Sequence, residues 1–389
     1  MNNKMKINTL IVCHDRFMSG ANRSLYDWLS SRDQSLISPI VLLPRRSPLF
    51  EEQLKKIGCE VWTGNYTVPV RHLEKTAPSE KVRDLVKYVY AKLVNPFQIS
   101  RIARKAKERK ISIVHSNSFA TIFGAQLANK LEVPHVWHIR EFGDLDHGFV
   151  HYKSFQVAKL CEKSNAIFIS QVIKSHYERL FSFKSCCCIT NRVAYDSRFN
   201  KTRNYIEDGL CNLLIVGYLS EAKGQLDAIE AVIKLHRSGY KVHLYLCGEG
   251  DWGQFSKDLS NEELSYISFL GYRSDVYAIR ESIDIALVCS RMEAFGRVTI
   301  ESLYYKNLVI GADSGCTPQI ISNGINGYLY PTGDVDELVR VIERCISHRD
   351  GVDKQLNESS YAAIKLYSND ISASIFDYYL KCLDGKVFK

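Results

Sequence analysis

Short apolar runs alternate with helical patterns along almost the whole chain, and this alternation limits the folds that it can adopt. Strand-like runs bounded by polar residues occupy residues 7–13, 38–43, 60–62, 111–115, 133–137, 166–170 and 186–190, and then 212–217, 242–247, 267–270, 283–288 and 308–312. Strands that alternate with helices build parallel sheets with helices on both faces. We therefore predict an α/β fold with two doubly wound domains.

The length of the chain agrees with this organisation. A chain of 389 residues with 46% hydrophobic residues can bury two full cores. The polar, irregular stretch at residues 196–209 predicts a linker, with domains at 1–195 and 210–365 and a closing segment at 366–389. No apolar run approaches the roughly 18 residues that span a bilayer. The N-terminal stretch is interpreted as a first strand rather than a signal peptide.

Residues 289–301, CSRMEAFGRVTIE, are the most informative about chemistry. They follow a strand, and a helical pattern begins after Gly296, so an anion-binding helix N-terminus is predicted there. Glu293 and Glu301 flank it. Because carboxylates repel phosphate, we expect these two to accept hydrogen bonds from sugar hydroxyls, which predicts a site for a phosphorylated sugar compound. The alternative is that both are ordinary solvated acids.

The spacing of these two acids resembles the Glu-x7-Glu signature of the family 4 glycosyltransferases, which are retaining enzymes with the GT-B fold. The resemblance implies two Rossmann-like domains that face an interdomain cleft, with the last helix packed back toward the first domain. It also implies that Glu293 lies at the donor sugar and Glu301 at the ribose of the nucleotide. Phe295, Gly296 and Arg297 belong to the same donor-binding segment.

Lys223 begins the helical pattern that follows the strand at residues 212–217. A lysine at a helix N-terminus opposes the helix dipole, and an anion bound there would explain it. The segment resembles the family's Gly-Arg-x4-Lys-Gly element, in which Arg and Lys bind the diphosphate. Tyr218 stands where the family has that Arg, so Arg291, Arg297 or another cation has to compensate, or the leaving group is less stabilised.

Three further residues near the ends of predicted strands correspond to functional positions of the family. His138 follows the strand at residues 133–137, and in similar enzymes a histidine here contacts the donor sugar across the cleft. Gly20 precedes the first helical pattern, and Arg273 follows a Leu-Gly-Tyr element that lies near the nucleotide base in the family. We take His138 as a catalytic candidate and the other two as donor-binding candidates. Each could instead be structural.

Positive charge is concentrated in the first half of the chain, which has 30 Lys and Arg against 16 Asp and Glu up to Arg192. This excess predicts an anionic partner. Residues 81–110 combine apolar residues on one helical face with interleaved lysines and arginines, which is typical of a helix on an anionic membrane surface. A solvated pair of surface helices is the alternative.

The twelve cysteines mostly lie within apolar runs and include no CxxC pair, which favours buried thiols in a reducing cytoplasm. We expect no metal. A GxGxxG pattern at residues 248–253 lies too late in the chain for a dinucleotide site, so no cofactor is expected.

The resemblance implies a metal-independent, retaining hexosyltransferase that uses a nucleotide sugar, with a UDP-sugar favoured. The acceptor would be a saccharide or lipid-linked saccharide in cell-surface polysaccharide synthesis, at the cytoplasmic face of a membrane. Gln319 stands where relatives have the glutamate of a Gly-x-Pro-Glu-Ile element, and this change and Tyr218 leave open a degenerate GT-B protein that binds or regulates without transfer. A nucleotide-sugar epimerase with the same fold is a further alternative. Nucleic-acid binding is not expected, because no reader motif accompanies the positive charge.

Overall fold

The computed structural model describes residues 6–73, 77–193, 205–206, 209–348 and 351–385. The chain divides into two compact units, the first formed by Met1–Arg192 with Asp370–Lys389 and the second by Val193–Asn369. Most of the predicted linker, residues 196–209, lies outside the described residues. The predicted α/β architecture with parallel sheets is confirmed in both units.

The first unit contains a parallel sheet of seven strands in the order β3-β2-β1-β5-β6-β8-β9, and a separate antiparallel pair, β4 and β7. Its strands are β1 (Ile7–Val12), β2 (Ile37–Leu43), β3 (Glu60–Thr63), β4 (Val70–His72), β5 (Ile113–Ser116), β6 (His135–Ile139), β7 (Phe149–His151), β8 (Asn165–Phe168) and β9 (Ser185–Cys188). Its first helices are α1 (Gly20–Ser31), α2 (Pro48–Lys56), α3 (Pro78–Glu108), α4 (Phe123–Leu131), α5 (Ser154–Glu162) and α6 (Gln171–Leu180). The strand order reverses between β1 and β5, which is where ligands bind in such sheets.

The second unit contains a parallel sheet of six strands in the order β12-β11-β10-β13-β14-β15. Its strands are β10 (Cys211–Val216), β11 (Val242–Cys247), β12 (Ile267–Phe269), β13 (Ile285–Val288), β14 (Leu308–Ala312) and β15 (Tyr328–Tyr330). Its helices are α7 (Gln225–Arg237), α8 (Trp252–Ser256), α9 (Asn261–Leu264), α10 (Val276–Arg280), α11 (Arg297–Tyr304), α12 (Thr317–Ile320), α13 (Val335–Ser347) and α14 (Val352–Tyr367). Here the strand order reverses between β10 and β13.

The last described helix, α15 (Ser372–Leu383), returns to the first unit. Ile375 and Tyr379 are fully buried in the core that also contains Ile11 and Trp28. The Tyr379 hydroxyl lies 2.8 Å from Nδ1 of His115 in β5. The core of the first unit therefore contains two segments that are far apart in sequence.

Two helices differ from the sequence prediction. The helix expected from Phe119 begins at Phe123, because the Glu141 carboxylate accepts hydrogen bonds from the Ser118 hydroxyl at 2.5 Å and from the Phe119 N–H at 2.7 Å. These bonds hold the preceding residues in a loop. The pair of helices considered for residues 81–110 is one helix, α3, which continues through Pro96.

Candidate functional site

The candidate site of the second unit lies where its strand order reverses, at the carboxyl ends of β10 and β13. The loop after β10 contains a short 3₁₀ helix, Glu221–Lys223, and the loop after β13 contains Glu293. A cavity of about 10 Å³ is lined by Lys223, Gln225, Ser290 and Glu293. It has room for about one water molecule. The two residues that the sequence assigned to catalysis in this half of the chain are thus brought together.

Lys223 and Glu293 form an ion pair in which Nζ lies 3.0 Å from Oε2. Both side chains are partly buried, Glu293 more so than Lys223. Burial raises the pKa of Glu293, but the charge of Lys223 and hydrogen bonds from Lys223, the Gly296 N–H and Ser290 outweigh it. The pKa of Glu293 therefore lies below its ordinary value, and the carboxylate is ionised at neutral pH.

The two loops fit together closely. Gly224 has a φ of 68°, and a Cβ atom there would lie 2.2 Å from the carbonyl oxygen of Cys289. The Arg291 N–H donates to the Ala222 carbonyl at 2.8 Å. The Arg291 guanidinium binds both carboxylate oxygens of Asp227, at 2.7 and 2.8 Å. Arg291 is thus engaged in holding the loops, which argues against it as the substitute for the arginine missing at Tyr218.

Residues that follow Glu293 in the chain hold both its backbone and its side chain through hydrogen bonds. Its carbonyl accepts a hydrogen bond from the Cys316 N–H at 2.7 Å, and its carboxylate accepts one from the Gly296 N–H at 3.2 Å. Gly296 caps α11 with a φ of 80°, a conformation that favours glycine, and a Cβ atom there would lie 2.4 Å from Cδ1 of Ile320. Glu293 is therefore held directly beside the N-terminus of α11.

Glu301 lies in the second turn of α11 and has its own cations. Nη2 of Arg280 lies 3.5 Å from its carboxylate, and Nη1 of Arg297 lies 4.0 Å from it. The Arg280 side chain is only 1% exposed, and its Nη1 donates to the Ser302 hydroxyl at 2.7 Å. A buried guanidinium is stable only when it is paired, so Arg280 orients Glu301 and depends on its charge.

The other donor-binding candidates of this unit differ in accessibility. The Tyr218 side chain is 62% exposed, and its carbonyl accepts a hydrogen bond from the Gln225 carboxamide at 3.0 Å. Arg273 is also exposed and binds the Asp275 carboxylate with two bonds of 2.8 and 2.6 Å. The Phe295 ring is buried against Tyr367, so that side chain packs inside the protein. The predicted roles of all three stay predictions.

In the first unit, His138 is fully buried within β6, which extends one residue past it. Nη2 of Arg140 lies 3.1 Å from Nδ1 of His138. Burial and the nearby charge of Arg140 hold the pKa of His138 well below its usual value, so the imidazole is neutral. Because a guanidinium can only donate, Nδ1 is the acceptor and the ring proton is on Nε2.

Gly20 is the first residue of α1, at the strand-order reversal of the first unit. A Cβ atom at Gly20 would meet no atom within 4 Å, so the space beside this helix N-terminus is open. The Asn117 carboxamide, from the loop after β5, donates to the Ala21 carbonyl at 3.1 Å and accepts from Nε of Arg140 at 2.8 Å. Asn117 thus links Ala21, the residue after Gly20, to Arg140 near His138.

Sequence reasoning missed two residues that position the candidates, namely Asp227 and Arg280. Each is charged and no more than 8% exposed. Asp227 could have been found, because an acid in the first turn of a predicted helix is a common capping signal. Nothing local marks Arg280, since a basic residue in a short helix usually faces solvent.

The described ranges contain neither a metal-binding cluster nor a membrane-spanning helix. In these ranges no group of three or more His, Cys, Asp or Glu residues is arranged to hold a metal ion. No described helix is long and apolar enough to span a membrane.

Part of the chain is similar to known glycosyltransferases. The sequence model of the family described as "Glycosyl transferases group 1" matches residues 197–365. The chain is 26% identical over 149 residues to the putative glycosyltransferase EpsD of Bacillus subtilis, a match that covers 38% of this chain and 39% of EpsD. It is 25% identical over 282 residues to the uncharacterized glycosyltransferase MJ1178 of Methanocaldococcus jannaschii, covering 71% of this chain and 76% of that protein.

Solved structures share the fold over nearly the full chain. HepE of Anabaena, solved in complex with UDP and glucose, superposes with a TM-score of 0.71 at 19% identity over 97% of this chain and 99% of HepE. TarM superposes with a TM-score of 0.72 at 13% identity over 99% of this chain and 100% of TarM. Residues 197–365 therefore match the group 1 glycosyltransferase family, and the chain has the GT-B fold.

Proposed function

We propose that the chain is a retaining glycosyltransferase that moves a sugar from a nucleoside-diphosphate sugar to a saccharide or lipid-linked saccharide acceptor. A UDP-sugar is the favoured donor, since the similar protein HepE was solved with UDP. Cell-surface polysaccharide synthesis is the favoured setting. The observation that carries the proposal is the contact between Lys223 and Glu293 beside the N-terminus of α11.

This arrangement offers separate partners for the separate parts of a nucleotide sugar. Lys223 supplies a cation that can bind the diphosphate, and the N-terminus of α11 adds positive potential. When Lys223 binds the diphosphate, it no longer pairs with Glu293. The Glu293 carboxylate can then accept hydrogen bonds from the sugar hydroxyls. Glu301, oriented by Arg280 at 3.5 Å, is proposed to accept hydrogen bonds from the ribose.

In the proposed reaction, the bond between the anomeric carbon and the diphosphate oxygen breaks, and the acceptor oxygen bonds to the same face of that carbon. The acceptor's hydroxyl proton passes to the departing diphosphate. Lys223 stabilises the charge that develops on the leaving group, without a resident metal. His138, with a neutral imidazole, is proposed to donate a hydrogen bond from its Nε2–H to the donor sugar. Catalysis then rests on positioning and electrostatic stabilisation.

A thermal-shift panel of nucleoside diphosphates and nucleotide sugars tests the donor site. A ligand that binds only the folded state raises the free energy of unfolding, by about 2.7 kcal/mol when its concentration is 100 times Kd. The melting temperature rises accordingly. We expect UDP and one UDP-sugar to stabilise the wild type, and EDTA to leave that shift unchanged. Equal melting temperatures with and without every nucleotide would contradict the proposal.

Tyr218 favours the alternative of a protein that binds without transfer, because its exposed ring replaces a permanently charged phosphate ligand. The two functions predict different products. Nucleotide binding without sugar transfer or donor hydrolysis would support the binding-only alternative. Isomerisation of the donor sugar with no acceptor present would support the epimerase.

We further propose that α3 binds an anionic membrane surface and so attaches the first unit to it. Its exposed face carries a row of apolar side chains, each at least half exposed: Val82, Leu85, Val86, Val89, Tyr90, Leu93 and Phe97. At 100° per residue, Lys81 and Lys92 flank this row on one side and Arg83 and Lys87 on the other. An apolar row between two basic margins suits an interfacial helix.

Vesicle co-sedimentation tests this proposed membrane binding by α3. We expect the wild type to bind vesicles that contain phosphatidylglycerol, and Leu93→Glu with Phe97→Glu to lower the partition coefficient at least 100-fold, because burying each side chain is worth about 1.5–3 kcal/mol. The control is Leu366→Glu, which alters a leucine of α14 that is 63% exposed, against 74% for Leu93. Equal binding by both variants would contradict the proposal and favour a solvated surface helix.

A further inference from the structure

A second cavity, of about 100 Å³, lies entirely within the first unit, between α3, the start of α4 and the segment that joins β7 to α5. Three of its lining residues lie in connections from a strand of the large sheet to the next helix: Pro69 between β3 and α3, Ile122 between β5 and α4, and His151, at the end of β7, between β6 and α5. The carboxyl ends of parallel strands meet at one edge of a sheet, and ligands bind beyond that edge. The cavity therefore lies on the side of the sheet where a substrate is expected.

One part of the cavity lining is apolar and aromatic. Ala91 and Val157 are buried, and the rings of Tyr88 and Tyr152 stack with their centroids 4.5 Å apart. The faces of aromatic rings carry negative potential, which attracts the weakly positive C–H groups of a sugar ring. For comparison, an apolar cavity of roughly 150 Å³ is known to hold benzene, so this smaller cavity can receive only part of a sugar ring.

The other part of the lining is polar and is able to pair with hydroxyl groups. Nε2 of His151 lies 2.9 Å from the Phe119 carbonyl oxygen, so it carries the ring proton and Nδ1 is an acceptor. Burial lowers the pKa of His151 to about 4, which keeps the imidazole neutral at pH 7. Gln126 adds a carboxamide that both donates and accepts, and Lys92, whose Nζ lies 3.3 Å from Oε1 of Gln156, adds a donor.

A sugar hydroxyl both donates and accepts, and a pyranose presents such groups around an apolar ring face. From this complementarity we propose that the cavity binds part of one sugar ring of the acceptor, an inference that rests on the proposed glycosyl transfer. The exposed apolar row of α3 begins on the same helix that supplies Ala91 and Lys92. An acceptor whose lipid lies in the membrane would thus present its sugar near this wall.

Saturation-transfer NMR on the full chain tests the cavity with the methyl glycosides of glucose, galactose and N-acetylglucosamine. We expect at least one glycoside to receive saturation from the wild type, and Gln126→Leu, which keeps the size of the side chain, to abolish that transfer. The matched control is Gln34→Leu, an exposed glutamine of the same unit. Ala91→Phe, which fills the cavity, should act like Gln126→Leu if its melting temperature is retained.

A transfer assay gives the second readout. Loss of the Gln126 hydrogen bonds should raise KM for the acceptor about tenfold, with kcat and KM for the donor within twofold of wild type. The shift of melting temperature with UDP should be the same in all variants, so a failed donor site would be recognised separately. The inference would be overturned by any of three results: no saturation transfer to any glycoside, equal saturation transfer from Gln126→Leu and wild type, or an unchanged KM for the acceptor.

Discussion

Replacing Lys223 by methionine is expected to lower kcat/KM for the proposed sugar transfer by about 10²–10³-fold, the usual effect of removing one group that stabilises developing charge. The structure gives two reasons. Lys223 is the cation on the β10 side of the strand-order reversal, and it is paired with Glu293 at 3.0 Å. Its loss removes the partner of the diphosphate and leaves the Glu293 carboxylate to repel that diphosphate.

Steady-state kinetics and the thermal shift with UDP measure this effect together. Lys257→Met serves as control, because Lys257 is two-thirds exposed and lies 3.9 Å from Asp258, in a weak surface pair. In the double variant Lys223→Met/Glu293→Gln we expect part of the UDP-dependent shift to return, since the repulsive carboxylate is gone. Wild-type kinetics in Lys223→Met would exclude the assigned role.

Replacing Glu301 by glutamine should lower the free energy of unfolding by about 3 kcal/mol, the cost of leaving a buried charge without its partner. The Arg280 guanidinium is 1% exposed and lies 3.5 Å from the Glu301 carboxylate. The double variant Arg280→Met/Glu301→Gln removes both charges and should recover most of that stability. It should not recover affinity for UDP, because the proposed ribose contact is still absent.

Urea denaturation of the two variants and the wild type checks this prediction. Glu337→Gln breaks an exposed pair with Arg340 at 2.7 Å and should change stability by no more than about 0.5–1 kcal/mol. A double variant that is no more stable than Glu301→Gln would show that Arg280 does not depend on Glu301. Recovery of UDP binding in the double variant would remove Glu301 from the donor site.

β13 and β14 were predictable because every residue in them is buried, so they appear as uninterrupted apolar runs. The bounds of β11 and β14 coincide with the predicted runs at residues 242–247 and 308–312. The short strands β4, β7 and β15 have three residues each, too few for a periodic pattern. The start of α4 was misplaced because Glu141, distant in sequence, holds the preceding loop.

The candidate site was predictable only in part, for a related reason. Lys223 and Glu293 each stand at the carboxyl end of a recognisable strand, so the topology of the sheet brings them together although 70 residues separate them. Arg280 has no such local mark, because its importance comes from burial. The pairing of Arg291 with Asp227 likewise arises from two loops whose fit depends on Gly224.

The return of α15 to the first unit has a consequence for biosynthesis. Residues 193–369 leave the ribosome before α15 does, so the second unit has all of its strands and helices available while the first unit still lacks Ile375 and Tyr379. Domains usually complete folding in the order in which they are synthesised. In this chain we expect the reverse order, because part of the core of the N-terminal unit stays uncovered until α15, which is synthesised after the whole second unit, has emerged.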